Sequence, residues 1–110
     1  MDPGGRDTFL RYCSSCHGPE GRGDGPLAAT LKTPPADLTR IAKRNGGRFD
    51  EHAVLAAIDG RQAVAQHGPR DMPVWGAVFE GEERGQPYPQ YQGLLKSRLL
   101  MDYLATIQEQ

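Results

Sequence analysis

Cys13-Ser14-Ser15-Cys16-His17 is a C-x-x-C-H sequence that contains both cysteines of this chain. On a helical turn, cysteines three positions apart face the same side, and the histidine follows directly. Two cysteines this close would close too small a ring to stabilise the chain usefully as a disulfide, and they fall short of a four-ligand zinc site. We therefore infer a chemical role for the two thiols.

The spacing is the recognised signature of covalent haem attachment. The thiols of Cys13 and Cys16 can add to the two vinyl groups along one haem edge, which leaves His17 beneath the iron as an axial nitrogen ligand. The alternative is a thioredoxin-like redox pair, which requires a strand before the motif, and nothing before Cys13 resembles one. The motif therefore predicts one covalently bound haem c; a haem-free thiol or metal module is the rival interpretation.

Length and composition predict a single domain, residues 1–110. The hydrophobic share of 37% is low for a chain that must build its core alone, so a cofactor can help to fill the interior. The 13 basic and 14 acidic residues are well mixed and give a net charge of -1, which predicts no nucleic-acid partner. No apolar run approaches the ~20 residues that span a bilayer, and the first five residues lack the apolar stretch of a secretion signal.

Helical spacing in the first part of the chain predicts a helix over Asp7–Cys16 that carries the motif. Residues 18–25 contain four glycines and a proline, which favours an irregular loop. Residues 27–32 can form one or two helical turns before Pro34-Pro35 ends them.

A second helix is predicted over Asp50–Ile58. Asp50 can cap the first amides, Phe49 and Val54 are placed as a hydrophobic staple, and Gly60 can close the end.

The clearest periodicity belongs to a last helix, which we expect to pack on the first helix. Its apolar face is predicted to contain Leu95, Leu99, Leu100, Tyr103, Leu104 and Ile107. Residues 80–91 before it form a polar connection with proline and glycine, and no alternating strand pattern is present. The domain should be mainly helical with long loops.

Nearly the whole chain resembles class I cytochrome c, the all-α fold in which N- and C-terminal helices cross while shorter helices and long loops surround one haem. The family has a glycine and an aromatic residue eight and four positions before the first cysteine, and here these are Gly5 and Phe9. The last helix of the family brings a leucine and an aromatic residue three apart, as Leu100 and Tyr103 are here. The glycine lets the two backbones approach closely, and the rings fill the crossing.

The resemblance also implies residues on both sides of the haem. Gly25-Pro26 looks like the family's Gly-Pro pair, whose proline carbonyl accepts a hydrogen bond from the proximal histidine, although Pro26 can equally start a helix. Met72, in Asp71-Met72-Pro73, resembles the methionine that supplies the sixth iron ligand, and the proline after it restrains the loop. Met101 is better explained by core packing, and Met1 is a terminus.

Other polar residues are weaker candidates. His52 and His67 would compete with Met72 as iron ligands, but both have the default of solvated surface residues. Trp75 can pack at the haem edge and donate to a propionate, or it can serve only the core. Three arginines could bind the propionates, and the sequence does not choose among them: Arg40, Arg48 and Arg61.

The resemblance implies an electron carrier and not an enzyme, with iron cycling between ferric and ferrous states under His17 and Met72 ligation. The partners implied are redox proteins that donate and accept electrons at a small interface, with the chain itself monomeric. Haem attachment implies the periplasm, and a native precursor with a signal peptide or a membrane anchor. The alternatives are the haem domain of a larger redox enzyme complex and a haem-based ligand sensor with a labile sixth ligand.

Overall fold

The computed structural model of the chain describes residues 4–68 and 70–109. These residues contain seven α-helices and no strand beyond an isolated bridge. The helices are α1 Gly5–Tyr12, α2 Ser14–His17, α3 Ile41–Arg44, α4 Glu51–Asp59, α5 Arg61–His67, α6 Trp75–Glu82 and α7 Pro89–Thr106, and two short 3-10 helices span Ala28–Thr30 and Leu38–Arg40. The predicted all-α class is confirmed.

The single helix predicted over Asp7–Cys16 is divided into α1 and α2, and the motif begins at the bend between them. Cys13 separates α1 from α2 with φ -112° and ψ -26°. Backbone bonding continues through this bend, because the Cys13 amide donates to Phe9 O at 2.8 Å and the His17 amide donates to Cys13 O at 2.9 Å. The bend therefore reorients the motif without leaving it loose.

Helix α4 follows the sequence prediction closely. The Asp50 carboxylate accepts a hydrogen bond from the Ala53 amide at 3.1 Å, which caps the first turn. The helix runs to Asp59, one residue beyond the predicted end, and Gly60 follows in the left-handed conformation with φ 75°. Val54 is buried and Phe49 packs against the core.

The predicted connection over residues 80–91 was too long at both ends. Helix α6 extends to Glu82, and α7 already begins at Pro89. Proline suits a first helical turn, where an amide hydrogen would lack a partner.

The prediction that Leu95 belongs to the apolar face of α7 was wrong, since its side chain is 38% exposed.

Helix α7 packs against α1, α4 and α6, so the predicted packing of the terminal helices is confirmed. At the α1 crossing, the rings of Phe9 and Tyr103 lie 5.3 Å apart, and Leu100 is buried beside them. The buried core draws on all four helices and consists of Phe9, Val54, Ile58, Trp75, Phe79, Leu100, Met101 and Leu104. Within the described ranges, no helix has the length and apolar character needed to cross a membrane.

Candidate functional site

Two adjoining cavities of about 450 and 340 Å³ open beside the motif helix. Five residues line both cavities: Cys13, His17, Ala36, Met72 and Trp75. The two cavities are therefore parts of one space, which we call the crevice. Each volume lies within the range of ~300–1,000 Å³ that is usual for small-molecule and cofactor sites.

The walls of the crevice come from distant parts of the chain. The first cavity lies between the motif, residues 31–36 and residues 70–73. The second is largely apolar and is lined by side chains of α1, α4 and α7 together with Leu38 and Ile41. Such a surface can bury a large, flat, mostly apolar ligand.

His17 is buried in the crevice wall, with 8% of its surface exposed. Its Nδ1 lies 2.9 Å from the carbonyl oxygen of Ala36. A carbonyl can only accept, so Nδ1 carries the hydrogen in this contact, and Nε2 is left with its lone pair. This is the arrangement of a metal-ligating histidine, whose second nitrogen fixes the orientation of the ring.

The carbonyl that faces His17 was assigned to Pro26 by the resemblance, and the structure gives that place to Ala36. Pro26 is exposed. Its neighbours bind the backbone of the motif: the Gly25 amide donates to Cys16 O at 3.0 Å, and the Leu27 amide donates to Ser15 O at 2.8 Å. The Gly25-Pro26 segment thus supports helix α2 from outside.

Both cysteines are free and half-buried, and both line the first cavity. Burial, together with a smaller contribution from the neighbouring Cys16 thiol, raises the pKa of the Cys13 thiol to about 12. Reactive thiols of disulfide oxidoreductases have lowered pKa values. The position of Cys13 therefore suits an uncharged sulfur and disfavours the redox-pair interpretation.

Met72 and Trp75 lie on the crevice wall together. Met72 is half-buried against the core. Trp75 is 8% exposed and stacks on Phe79 with ring centroids 5.5 Å apart, and Tyr12 meets it edge-on at 5.4 Å. Trp75 therefore belongs both to the core and to the crevice wall, and its donation to a propionate stays a prediction.

The remaining candidates lie elsewhere. Met101 is buried in the core, His52 is exposed on α4, Met1 lies outside the described residues, and so does the side chain of His67. Arg40 pairs with Glu109, Arg61 pairs with Asp59 and Glu80, and Arg48 is exposed. In the part of the chain that is described, the basic residues that line the crevice are Lys32, Arg44 and Arg70.

Arg70 is a site residue that sequence reasoning missed. Its guanidinium hydrogen-bonds three backbone carbonyls, while Nε is buried and has no partner among the described residues. Burial lowers the pKa of Arg70, and Asp59 acts in the opposite direction. No pattern marks this arginine in the sequence, because its partners are carbonyls that any residue could supply.

The residues present fit a haem. An imidazole nitrogen and a thioether sulfur are the axial donors of cytochrome c iron, and His17 and Met72 bring both to one crevice. Cys13 and Cys16 supply two thiols there, the second cavity supplies an apolar surface, and the unpaired Arg70 N–H suits an acidic group.

A family model described as Cytochrome C oxidase, cbb3-type, subunit III matches residues 2–86. The matched range includes the motif, the Met72 segment and helices α1 to α6. No curated protein and no solved structure matches the chain. Because the match spans well over half of the sequence and the described residues form the expected helical fold, this chain is a class I c-type cytochrome of the cytochrome c oxidase cbb3-type subunit III family.

Proposed function

We propose that this chain transfers single electrons through one haem c, attached covalently to Cys13 and Cys16 and ligated by His17 and Met72. The observation that carries the proposal is that these four side chains line one crevice with a largely apolar interior. A haem bound there supplies an iron that alternates between ferric and ferrous states.

The protein's own contribution is to hold ligands and exclude water. The Ala36 carbonyl orients His17 and makes its imidazole a stronger electron donor toward a bound metal. Met72 would supply a thioether ligand, which would favour reduced iron and would occupy the coordination position that oxygen needs. The apolar walls from α4 and α7 raise the cost of the extra ferric charge. These features support electron transfer as the function.

We further propose that residues 1–110 form one domain, because α1, α4, α6 and α7 contribute to a single core. The family description favours one of the alternatives, a domain that works inside an oxidase complex, over a freely diffusing carrier. The partners would then be redox proteins on the periplasmic side, contacted by a monomeric cytochrome domain through a small interface.

The sixth ligand is tested by the visible spectrum of the haem-loaded protein. Wild type should show the weak red charge-transfer band of ferric iron bound to methionine, and Met72→Ala should lose it. Met101→Leu is the matched control, since Met101 is buried in the core and the exchange conserves volume. A band that is absent from wild type, or that survives Met72→Ala, contradicts the assignment.

Carbon monoxide binding distinguishes an electron carrier from a haem-based ligand sensor. If Met72 closes the distal face, ferrous wild type should bind carbon monoxide poorly at neutral pH, and Met72→Ala should bind it readily. Ready binding by wild type would favour a sensor with a labile ligand.

Covalent attachment is tested by extraction with acidified acetone. Haem should stay with the wild-type polypeptide and leave the Cys13→Ser/Cys16→Ser variant. A haem assay on wild type should give one haem per chain, and haem that is extracted from wild type would refute attachment.

A further inference from the structure

Arg70 joins helix α4 to the segment that carries Met72. Its Nη1 donates to Ala57 O at 2.6 Å, and its Nη2 donates to Ile58 O at 3.3 Å and to Pro73 O at 2.7 Å. One guanidinium therefore connects the last turn of α4 with the residue directly after Met72.

The end of α4 is a suitable anchor for this side chain. Carbonyls in the last turn of a helix lack amide partners within the helix, and a cation near them interacts favourably with the helix dipole. Helix α4 is itself fixed, since Val54 and Ile58 lie in the core and the helix packs against α7.

Gly60 leaves the space that the guanidinium occupies. A Cβ at this position would lie 2.1 Å from Arg70 Nη2, and Gly60 has φ 75°. The absence of a side chain at Gly60 therefore permits both the left-handed end of α4 and the close approach of Arg70.

A second contact holds the same segment from another side. The Thr33 amide donates to Asp71 Oδ2 at 3.3 Å. The two residues before Met72 therefore bind different walls of the crevice. Arg70 makes three hydrogen bonds and Asp71 accepts one.

We propose that Arg70 is a positioning residue for Met72, whose three hydrogen bonds hold the Met72-Pro73 segment against α4 so that the thioether stays at the crevice. The inference rests on the proposed ligation by Met72. Without Arg70 the segment gains conformational freedom that ligation must remove, so external ligands compete better for the distal position.

The test compares imidazole binding to the ferric, haem-loaded protein. Loss of three hydrogen bonds in Arg70→Ala should tighten imidazole binding by about tenfold or more. Arg70→Lys should give a smaller change, because an ammonium cannot reproduce the planar fork. Gly60→Ala should act in the same direction as Arg70→Ala, since the added Cβ displaces the guanidinium while the arginine is kept.

Arg61→Gln is the matched control. Arg61 also follows α4, but it pairs with Asp59 and Glu80, which line a different cavity. Imidazole affinity should match that of wild type in this variant, even if the midpoint of unfolding falls.

A second measurement follows the red charge-transfer band on heating. Arg70→Ala should lose this band well below the temperature at which its helices unfold.

The outcomes distinguish this inference from the ligation on which it rests. A wild type without the red band overturns both. A wild type with the band, together with unchanged imidazole affinity in Arg70→Ala, Arg70→Lys and Gly60→Ala, overturns the positioning role and leaves Met72 ligation standing. Arg70→Lys and Gly60→Ala decide the question if Arg70→Ala does not retain haem.

Discussion

The Nδ1 atom of His17 lies 2.9 Å from the carbonyl oxygen of Ala36, 19 residues further along the chain. The loop between them is folded back on the motif, because the Gly23 amide donates to His17 O at 2.7 Å and the Leu38 amide donates to Gly21 O at 2.5 Å. The orientation of the imidazole thus depends on how closely this loop can approach residues 35 and 36.

Gly23→Ala should disturb the His17–Ala36 bond. A Cβ at Gly23 would lie 2.7 Å from Pro35 O and 3.3 Å from Ala36 O, so the carbonyls must move. If the hydrogen bond to Ala36 O weakens, the imidazole of His17 donates less electron density to iron. The reduction potential of the haem-loaded protein should therefore rise. Potentiometric titration measures the change.

Gly47→Ala is the control for backbone strain. Gly47 has φ 92°, close to the 91° of Gly23, but nothing lies within 4 Å of its added Cβ. It should lose about 1–2 kcal/mol of stability at an unchanged potential. Equal potentials in the two variants would show that the loop does not act through His17.

Leu100→Ala should destabilise the protein by about 2–5 kcal/mol, because Leu100 is 1% exposed at the centre of the core. Leu95→Ala, on the same helix, should cost much less, since Leu95 is 38% exposed. Urea unfolding followed by circular dichroism measures both. Similar losses in the two variants would contradict the observed orientation of α7.

Asp37→Ala should remove a cap that is strongest when the carboxylate is ionised. Asp37 Oδ1 accepts from the Thr39 amide at 2.9 Å and from the Thr39 hydroxyl at 2.6 Å, and the hydroxyl bond lowers the pKa of Asp37. Because the folded pKa is lowered, the stabilisation is present above about pH 4 and is lost as the pH falls through the folded pKa.

At pH 7 the Asp37→Ala loss should be about 1 kcal/mol, and the difference from wild type should shrink below pH 4. Unfolding curves between pH 3 and pH 7 provide the comparison. A pH-independent difference for Asp37→Ala would refute the ionic contribution.

Tyr12→Phe should alter stability in the alkaline range. Burial raises the pKa of Tyr12, and so does the hydrogen bond from its hydroxyl to Glu82, at 2.7 Å. With a raised folded pKa, the phenol stabilises the fold below pH 10 and this contribution is lost as the pH rises further. In unfolding experiments between pH 8 and pH 11, Tyr12→Phe should show a smaller decline than wild type, whereas Tyr91→Phe, at an exposed ring, should show the wild-type decline.

The sequence by itself determined the features that depend on near neighbours in the chain. The C-x-x-C-H spacing, the Asp50 cap and the Gly60 end of α4 are local geometry, which residue types at fixed offsets express directly. The i, i+3, i+4 pattern predicted α7 for the same reason, because one face of a long helix must be apolar. Helices α3 and α5 have only 4 and 7 residues, too few to show such a pattern.

Tertiary structure alone decided the contacts made by backbone carbonyls and by side chains that reach across loops. The acceptor for His17 is Ala36 and not Pro26, and Arg70 binds Ala57, Ile58 and Pro73. Every residue carries a carbonyl, so residue type cannot say which one will lie opposite a given donor. That choice depends on how the loops pack around the crevice, and it is therefore made only when the chain is folded.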